Sequence, residues 1–462
     1  MFTIDLKNPC HIYFVGIGGI SMSGLAELLH DAGFKVSGSD WHASPITLTL
    51  EAKGIQIKYG ESSAHITDDI DCAVLTSAVH EDNLEFIAIR EKNIPYISRA
   101  ELLGQIMKNY GTSIAVSGTH GKTSTTSMIS EILMHADTDP TLFIGGMLSS
   151  IGGNVRIGHS EYLVTEACEY TNSFLSFFPR IGLILNVEAD HLDFFKDLDD
   201  IRRSFREFAA LIPENGCLII NNDIPDHAYI SGACKGKVIT FTSTEGDSSA
   251  DYYPTDISYN ELGHPAFLLH TPKGDAVRYT LQVPGLHNIA NSIAAIALAD
   301  HENIPYETTA QSIQKFTGTD RRFQYKGTIG GVTIVDDYAH HPTEIKAALT
   351  AAQSLPYQRV WCVFQPHTYT RTKAFMQEFA EALCLADKVV LAEIYAARET
   401  DRLGISSDTL REAIEQLGHE AVYFPTFDEV ENFLLENCTT GDLLITMGAG
   451  DVVKIGENLL GI

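Results

Sequence analysis

Ser113-Ile114-Ala115-Val116-Ser117-Gly118-Thr119-His120-Gly121-Lys122-Thr123 passes from a short run of small and apolar residues, through a glycine turn, into a helical stretch reaching about Met134. The apolar run bounded by glycine reads as a buried strand, and the turn leads straight into the helix. Strand, glycine turn and helix in that order are the unit from which parallel sheets with crossover helices are built. The same unit opens the chain. His11-Ile12-Tyr13-Phe14-Val15 reads as a strand, Gly16-Ile17-Gly18-Gly19-Ile20-Ser21 as the turn, and residues 21–32 as the helix, with Met22, Leu25, Ala26, Leu28 and Leu29 on its apolar side. Further strands are expected at 35–39, 73–76, 162–165 and 182–185. Residues 266–270 and 276–283 flank a Thr-Pro-Lys-Gly turn and suggest an antiparallel hairpin, followed by a helix over 287–299. Strands at 332–335, 360–364, 388–391 and 443–446 mark a third unit. No internal repeat or low-complexity linker interrupts the alternation. The reading is an α/β chain in three domains, 1–109, 110–319 and 320–462, in keeping with a length of 462 residues.

Acidic residues outnumber basic ones 60 to 32, for a formal charge of −28. Such a surface repels nucleic acid and anionic membranes, so neither is expected as a partner. An anionic substrate must then be captured locally, by helix N-termini and a few placed Lys or Arg. The eight cysteines are scattered without a CxxC pair, which argues against zinc ribbons and thioredoxin-type chemistry and favours buried apolar roles. No basic region precedes an apolar stretch near residue 1, and no window approaches a membrane span, so the expected location is cytoplasmic.

Several groups of residues carry chemistry. Gly118-Thr119-His120-Gly121-Lys122-Thr123 is a shortened phosphate loop, with Val116 where the strict form has glycine. Gly121 permits a backbone cradle, Lys122 offers a point charge to β- and γ-phosphates, and Thr123 can hold Mg²⁺; the alternative is a structural turn. The first turn, Gly16 to Ser21, sits where a nucleotide fingerprint belongs, and Asp40 after the next strand is placed for a ribose. Ser21 replaces the third glycine of the dinucleotide form, and a tight turn without ligand is the other reading. Glu166, Glu169 and His191 follow strands and could supply a second cation position. Asn288 and Asn291 open a helix and suit either an adenine edge or an N-cap. Arg321 and Arg322 suggest a phosphate contact. The adjacent His340 and His341 do not have zinc-site spacing; their loop, Asp336 to Pro342, reads as a substrate or nucleotide loop. Arg371, after the strand at 360–364, could grip a small carboxylate.

Taken in order, these segments resemble the Mur ligases, ATP-dependent amide-forming enzymes of peptidoglycan synthesis. The similarity spans essentially the whole chain, through the GIGG turn at 16–19, GTHGKT at 118–123, EACEY at 166–170, NVEADHLD at 186–193, HNIANS at 287–292, RRFQ at 321–324, DDYAHHP at 336–342, FQPHTYTRT at 364–372 and MGAGD at 447–451. The resemblance implies an N-terminal Rossmann-like domain for a UDP-sugar, a central P-loop ATPase-type domain, and a C-terminal Rossmann-like domain that helps admit an amino acid. It implies ATP with Mg²⁺ (or Mn²⁺), and a sugar carboxylate that attacks the γ-phosphate to give an acyl phosphate, which an amine then opens. By the same resemblance Gly118 to Thr123, Asn288, Asn291, Arg322 and Asp337 bind the nucleotide, Asp337 at the ribose. Thr123 holds the first Mg²⁺, and Glu166 and His191 the second. Lys122, His340 and Arg371 serve catalysis, the last two lining the amino-acid pocket. Gly16, Gly18, Gly19, Asp40, Ser77 and Arg99 contact the UDP-sugar.

The chain departs from the family in two places. Cys168 and Tyr170 stand where many members have Asp and Ser, and Thr368 where an arginine is common. Later-acting members use a carbamoylated lysine after the DH motif, yet no lysine occurs from 197 through 234. That fits the branch joining L-alanine to UDP-N-acetylmuramate, working as a monomer or weak homodimer. The competing readings are a family member adding murein tripeptide to the same sugar, an NAD-dependent oxidoreductase built on the first turn, and a non-catalytic nucleotide-binding regulator.

Overall fold

The computed structural model describes residues 2–76, 78–397 and 399–462. Its first sheet is wholly parallel, in the order Gln56–Tyr59, Lys35–Asp40, His11–Val15, Cys72–Leu75, Tyr96–Ser98. The His11–Val15 strand is buried along its length, as a strand covered on both faces must be. The strand order reverses at its side, so the glycine turn at 16–19 opens at a topological switch point.

The second sheet runs Lys237–Phe241, Cys217–Asn221, Ile181–Ile184, Thr112–Ser117, Tyr162–Glu166, Thr141–Leu148, Gly153–Arg156. It is parallel except for the last pair, an antiparallel hairpin at the edge. Thr112–Ser117 lies at the centre, and the helix Lys122–His135 leaves its C-terminal end. A separate three-stranded antiparallel sheet, Tyr253–Tyr259, Pro265–His270 and Ala276–Thr280, is the small addition expected from the hairpin signal. The third sheet has the order Gln324–Ile329, Val332–Asp337, Leu443–Met447, Val360–Phe364, Lys388–Leu391, Ala421–Tyr423, with only its first pair antiparallel. The protein is an α/β chain built on three mainly parallel sheets and one small antiparallel sheet.

The joints between these bodies differ in kind. One apolar core runs from Ile12, Leu29 and Leu103 around the first sheet to Phe143, Phe174, Phe177, Phe205 and Phe208 around the second. Gly104 on the helix Arg99–Met107 shows how close the contact is, because a Cβ there would lie 1.9 Å from the Ser176 carbonyl oxygen. The third sheet instead has two cores of its own, composed of residues from Phe323 onward. It meets the second through polar side chains.

Candidate active site

The phosphate loop takes its shape from two glycines. Gly118 has φ +143° and Gly121 φ +82°, the latter in the left-handed region at the N-cap of the helix. A Cβ on Gly121 would stand 2.5 Å from Asn291 Oδ1. Lys122 folds back over the loop, donating to the Gly118 carbonyl at 2.5 Å and the Thr119 carbonyl at 3.1 Å. Its Nζ also pairs with buried Glu169 at 3.1 Å. Burial alone would lower the Lys122 pKa, but Glu169, Cys168 and Glu166 outweigh it and hold it above its ordinary value. The ammonium is therefore charged and paired with a carboxylate.

A cavity of about 1070 Å³ lies in front of this lysine and is lined by Thr123, Glu166, His191, Arg322 and His340. A hydroxyl, a carboxylate and an imidazole around one space form a donor set fitting Mg²⁺ or Mn²⁺. Glu166 is oriented by the Gly145 N–H, which donates to its Oε1 at 2.6 Å. His191 has φ +53° and stacks on Tyr170 with ring centroids 4.5 Å apart. Burial lowers its pKa despite Asp190 and Glu169, so the ring is neutral and free to ligate.

A second cavity, about 990 Å³, extends away from the loop between the helices Leu286–His301 and Pro342–Gln353. His120, Gly121, Asn288, Asn291, Arg322 and Asp337 line it. The capping alternative for the asparagines does not hold, since Gly285 is the N-cap. Asn288 Nδ2 donates to the Pro284 carbonyl at 2.7 Å, and Asn291 Nδ2 to Asn288 Oδ1 at 3.2 Å. Asp337 differs from expectation. Rather than leaving its carboxylate open for a ribose, it accepts from Ala339 N–H at 2.7 Å and Phe323 N–H at 2.9 Å, knitting two loops together. Burial pushes its pKa up to about 6.

Where the second and third bodies meet, Glu344 collects contacts. It accepts from the His340 N–H at 3.0 Å, pairs with His120 Nδ1 at 3.1 Å and lies 3.9 Å from Arg322. Burial disfavours charge on His120, but Glu344 and Glu188 prevail and push its pKa up to about 9. His340, buried beside Arg371, is pushed down to about 4, so its ring is neutral. Arg371 corrects the sequence reading. Its guanidinium is held by Asp190, with Nε and Nη2 donating to Oδ1 at 3.2 and 3.1 Å, and does not stand open toward a small carboxylate. Thr368 caps the Tyr369–Ala374 helix at φ +66°, strained for a β-branched residue.

Asp40 is a second correction. Its carboxylate accepts from the Gly18 N–H and the Trp41 N–H, each at 2.8 Å, so it shapes the first glycine turn instead of facing a ribose. Gly16 needs its φ of +81°, and a Cβ on Gly18 would meet that same carboxylate at 2.8 Å. Gly19 caps the Ile20–Asp31 helix. Ser77 lies outside the described residues. Arg99 enters a cavity of about 690 Å³ between the first and second bodies, shared with Glu166 and Cys168. Its guanidinium makes no hydrogen bond or ion pair among the described residues, and burial lowers its pKa. A half-buried, unpaired arginine in so acidic a chain leaves its guanidinium donors open to an anion.

Comparison with known proteins bears on this arrangement directly. Family models for the Mur ligase family catalytic domain, the Mur ligase middle domain and the Mur ligase glutamate ligase domain match residues 11–111, 116–299 and 321–450. A UDP-N-acetylmuramate–L-alanine ligase of Agathobacter rectalis is 56% identical over 100% of both chains. The chain belongs to the Mur ligase family.

A UDP-N-acetylmuramate–L-alanine ligase of Lachnospira eligens is 55% identical, also over 100% of both chains. Among solved structures, the UDP-N-acetylmuramate-alanine ligase of Thermotoga maritima superposes with a TM-score of 0.80 at 27% identity, covering 98% of each chain. A murein peptide ligase of Psychrobacter arcticus gives 0.72 at 25% identity over 98% of each. Membership in the Mur ligases removes the oxidoreductase and regulator readings. This Mur ligase also has site residues that sequence reasoning passed over. Glu344 and Asp190 gave no local signal, because their partners are 224 and 181 positions away in the chain. Glu169, expected near a cation from its place three residues past a strand end, is instead found paired with Lys122.

Proposed function

We propose that this Mur ligase joins L-alanine to the lactyl carboxylate of UDP-N-acetylmuramate, consuming ATP and releasing ADP and phosphate, as a step of peptidoglycan synthesis in the cytoplasm. The observation that carries this is the shared cavity in which Lys122, Thr123, Glu166, His191, Arg322 and His340 converge, with the unpaired Arg99 in the next cleft. Full-length likeness to alanine-adding relatives supports the choice of amino acid.

The chemistry follows from those side chains. Gly118 to Thr123 wrap the β- and γ-phosphates at the helix N-terminus, where free N–H groups and the dipole favour anions. Lys122 leaves Glu169 for the γ-phosphate and balances the negative charge that builds as the lactyl carboxylate attacks phosphorus. Thr123, Glu166 and His191 would hold Mg²⁺, which when bound neutralises phosphate charge. Arg322 faces the same space from the C-terminal side and adds a second cation to the transferring group. Attack gives an acyl phosphate and ADP. The alanine amine then adds to the acyl carbon and phosphate leaves. Neutral His340 lines the cavity and can accept a proton at that stage. Arg371, bound to Asp190, acts by holding the C-terminal domain over the site.

The test is phosphate release from ATP that requires both UDP-N-acetylmuramate and L-alanine, with a product heavier by one alanine residue. Turnover without alanine, or faster turnover with a murein tripeptide, overturns the assignment.

A further inference from the structure

At the seam between the middle and C-terminal bodies, His120, Glu188 and His341 each offer a ligand atom, and these atoms lie within 4.8 Å of one another. No other group of this kind occurs among the described residues, and it shares no member with Thr123, Glu166 and His191. Zinc ligands sit about 2.0–2.2 Å from the ion and so about 3.3 Å apart in a tetrahedron. Side-chain rotations of about an ångström would close the set to that size.

His120 is already oriented for the task. Its Nδ1 faces Glu344 Oε1 at 3.1 Å, which turns Nε2 toward Glu188 and His341. That Nε2 is buried and has no hydrogen-bond partner, Glu188 Oε2 lying 3.5 Å away outside bonding geometry. A carboxylate behind an imidazole, with the far nitrogen free, is how proteins aim and strengthen a ligating histidine. The His341 ring lies 4.7 Å from that of His120, centroid to centroid. Its Nδ1 is engaged only by a long 3.3 Å cap from the Thr343 N–H, and its Nε2 by the Ala189 carbonyl at 3.1 Å. Glu188 and Glu344 favour one positive charge at this point, whether as a proton on His120 or as a cation.

We propose that His120, Glu188 and His341 form a further cation site, separate from the Mg²⁺ positions and selective for Zn²⁺-like ions over Mg²⁺, that ties the middle domain to the C-terminal domain and slows turnover when filled. Two imidazoles and one carboxylate select Zn²⁺ or Co²⁺, whereas Mg²⁺ takes oxygen ligands. Two of the ligands come from one side of the seam and His341 from the other, so the ion is a cross-link.

The experiment uses the full chain without nucleotide, titrated with Co²⁺ and followed by its visible ligand-field absorption. Wild type is expected to develop an intense tetrahedral-type band at one equivalent, displaced by Zn²⁺. H341N keeps a helix-capping acceptor but removes the imidazole, and should lose the band. H191A should retain it, and E344Q should weaken Co²⁺ binding by about 10–100-fold. Turnover at saturating Mg²⁺ should fall with added Zn²⁺ in wild type and resist it in H341N. Melting curves establish that the variants are folded, and E188Q replaces H341N if that variant is not. A wild type without the band, a band that persists in both H341N and E188Q, or one lost in H191A overturns the proposal.

Discussion

Lys122 touches two carbonyls and one carboxylate at once, all of them groups that a phosphate would displace. Replacing it by alanine should lower kcat by about 10³-fold, the scale of losing one preorganised charge on a transferring group. Phosphate release measured beside an unchanged circular dichroism spectrum checks this. His120 sets a pH dependence whose sign can be worked out. Its pKa is raised from 6.5 to about 9, so its pairing with Glu344 and Glu188 stabilises fully below pH 6.5 and is lost as pH rises through 9. Melting temperature should therefore fall on the alkaline side between those values, and H120Q should flatten that limb. Asp190 and Glu344 have lowered pKa values and work the other way, losing stability as pH falls through the acid range. At this scale the sequence was informative wherever a role is set locally. The loop conformation at Gly121, Lys122 and Thr123 could be read because a strand, a turn and a helix frame it. Asp40 and Arg371 were misread because a charged side chain at a strand end looks the same whether it faces ligand or a distant backbone.

Among the elements, the turn into the Lys122–His135 helix is the most exacting. Gly121→Ala would place a Cβ 2.5 Å from Asn291 Oδ1 and hold alanine at φ +82°. The left-handed conformation alone costs about 1–2 kcal/mol, and the loop should relax by tilting its N–H groups off the phosphates. A rise of at least about tenfold in KM for ATP, the equivalent of about 1.4 kcal/mol, is the expected reading. The hairpin of Thr141–Leu148 with Gly153–Arg156 escaped sequence reasoning because Gly145-Gly146 breaks the alternation that marks a strand. The same glycine pair brings the backbone against Glu166, so what hid the strand also serves the site. The strand Gln324–Ile329 was missed for a related reason, with exposed Tyr325 and a bulge near Gly327 obscuring its period.

For the whole molecule, the contrast between the two joints governs behaviour. Asp190 and Arg371 form a buried pair across the polar seam, with side chains 7% and 11% exposed. Removing one partner strands the other, at a cost of about 3 kcal/mol. Arg371→Ala should accordingly loosen the C-terminal domain, seen as faster proteolysis near residues 319–322 and a larger radius of gyration in X-ray scattering. The three-domain division was legible because each sheet announces itself by repeated strand-turn-helix units. The unequal strength of the joints was not, since a shared core between Leu103 and Phe174 leaves no trace in either segment alone. The continuous core of the first two bodies also bears on how the chain is made. The helix Arg99–Met107 needs Phe174, Phe205 and Phe208 to cover it, and these are synthesised about 100 residues later. At about 5–20 residues per second that is a wait of roughly 5–20 seconds. The nascent N-terminal body must emerge from the ribosome with an apolar flank uncovered, a natural client for a chaperone, while the C-terminal body draws its cores from its own segment and completes them when the helix Val453–Leu460 follows its last strand, Leu443–Met447.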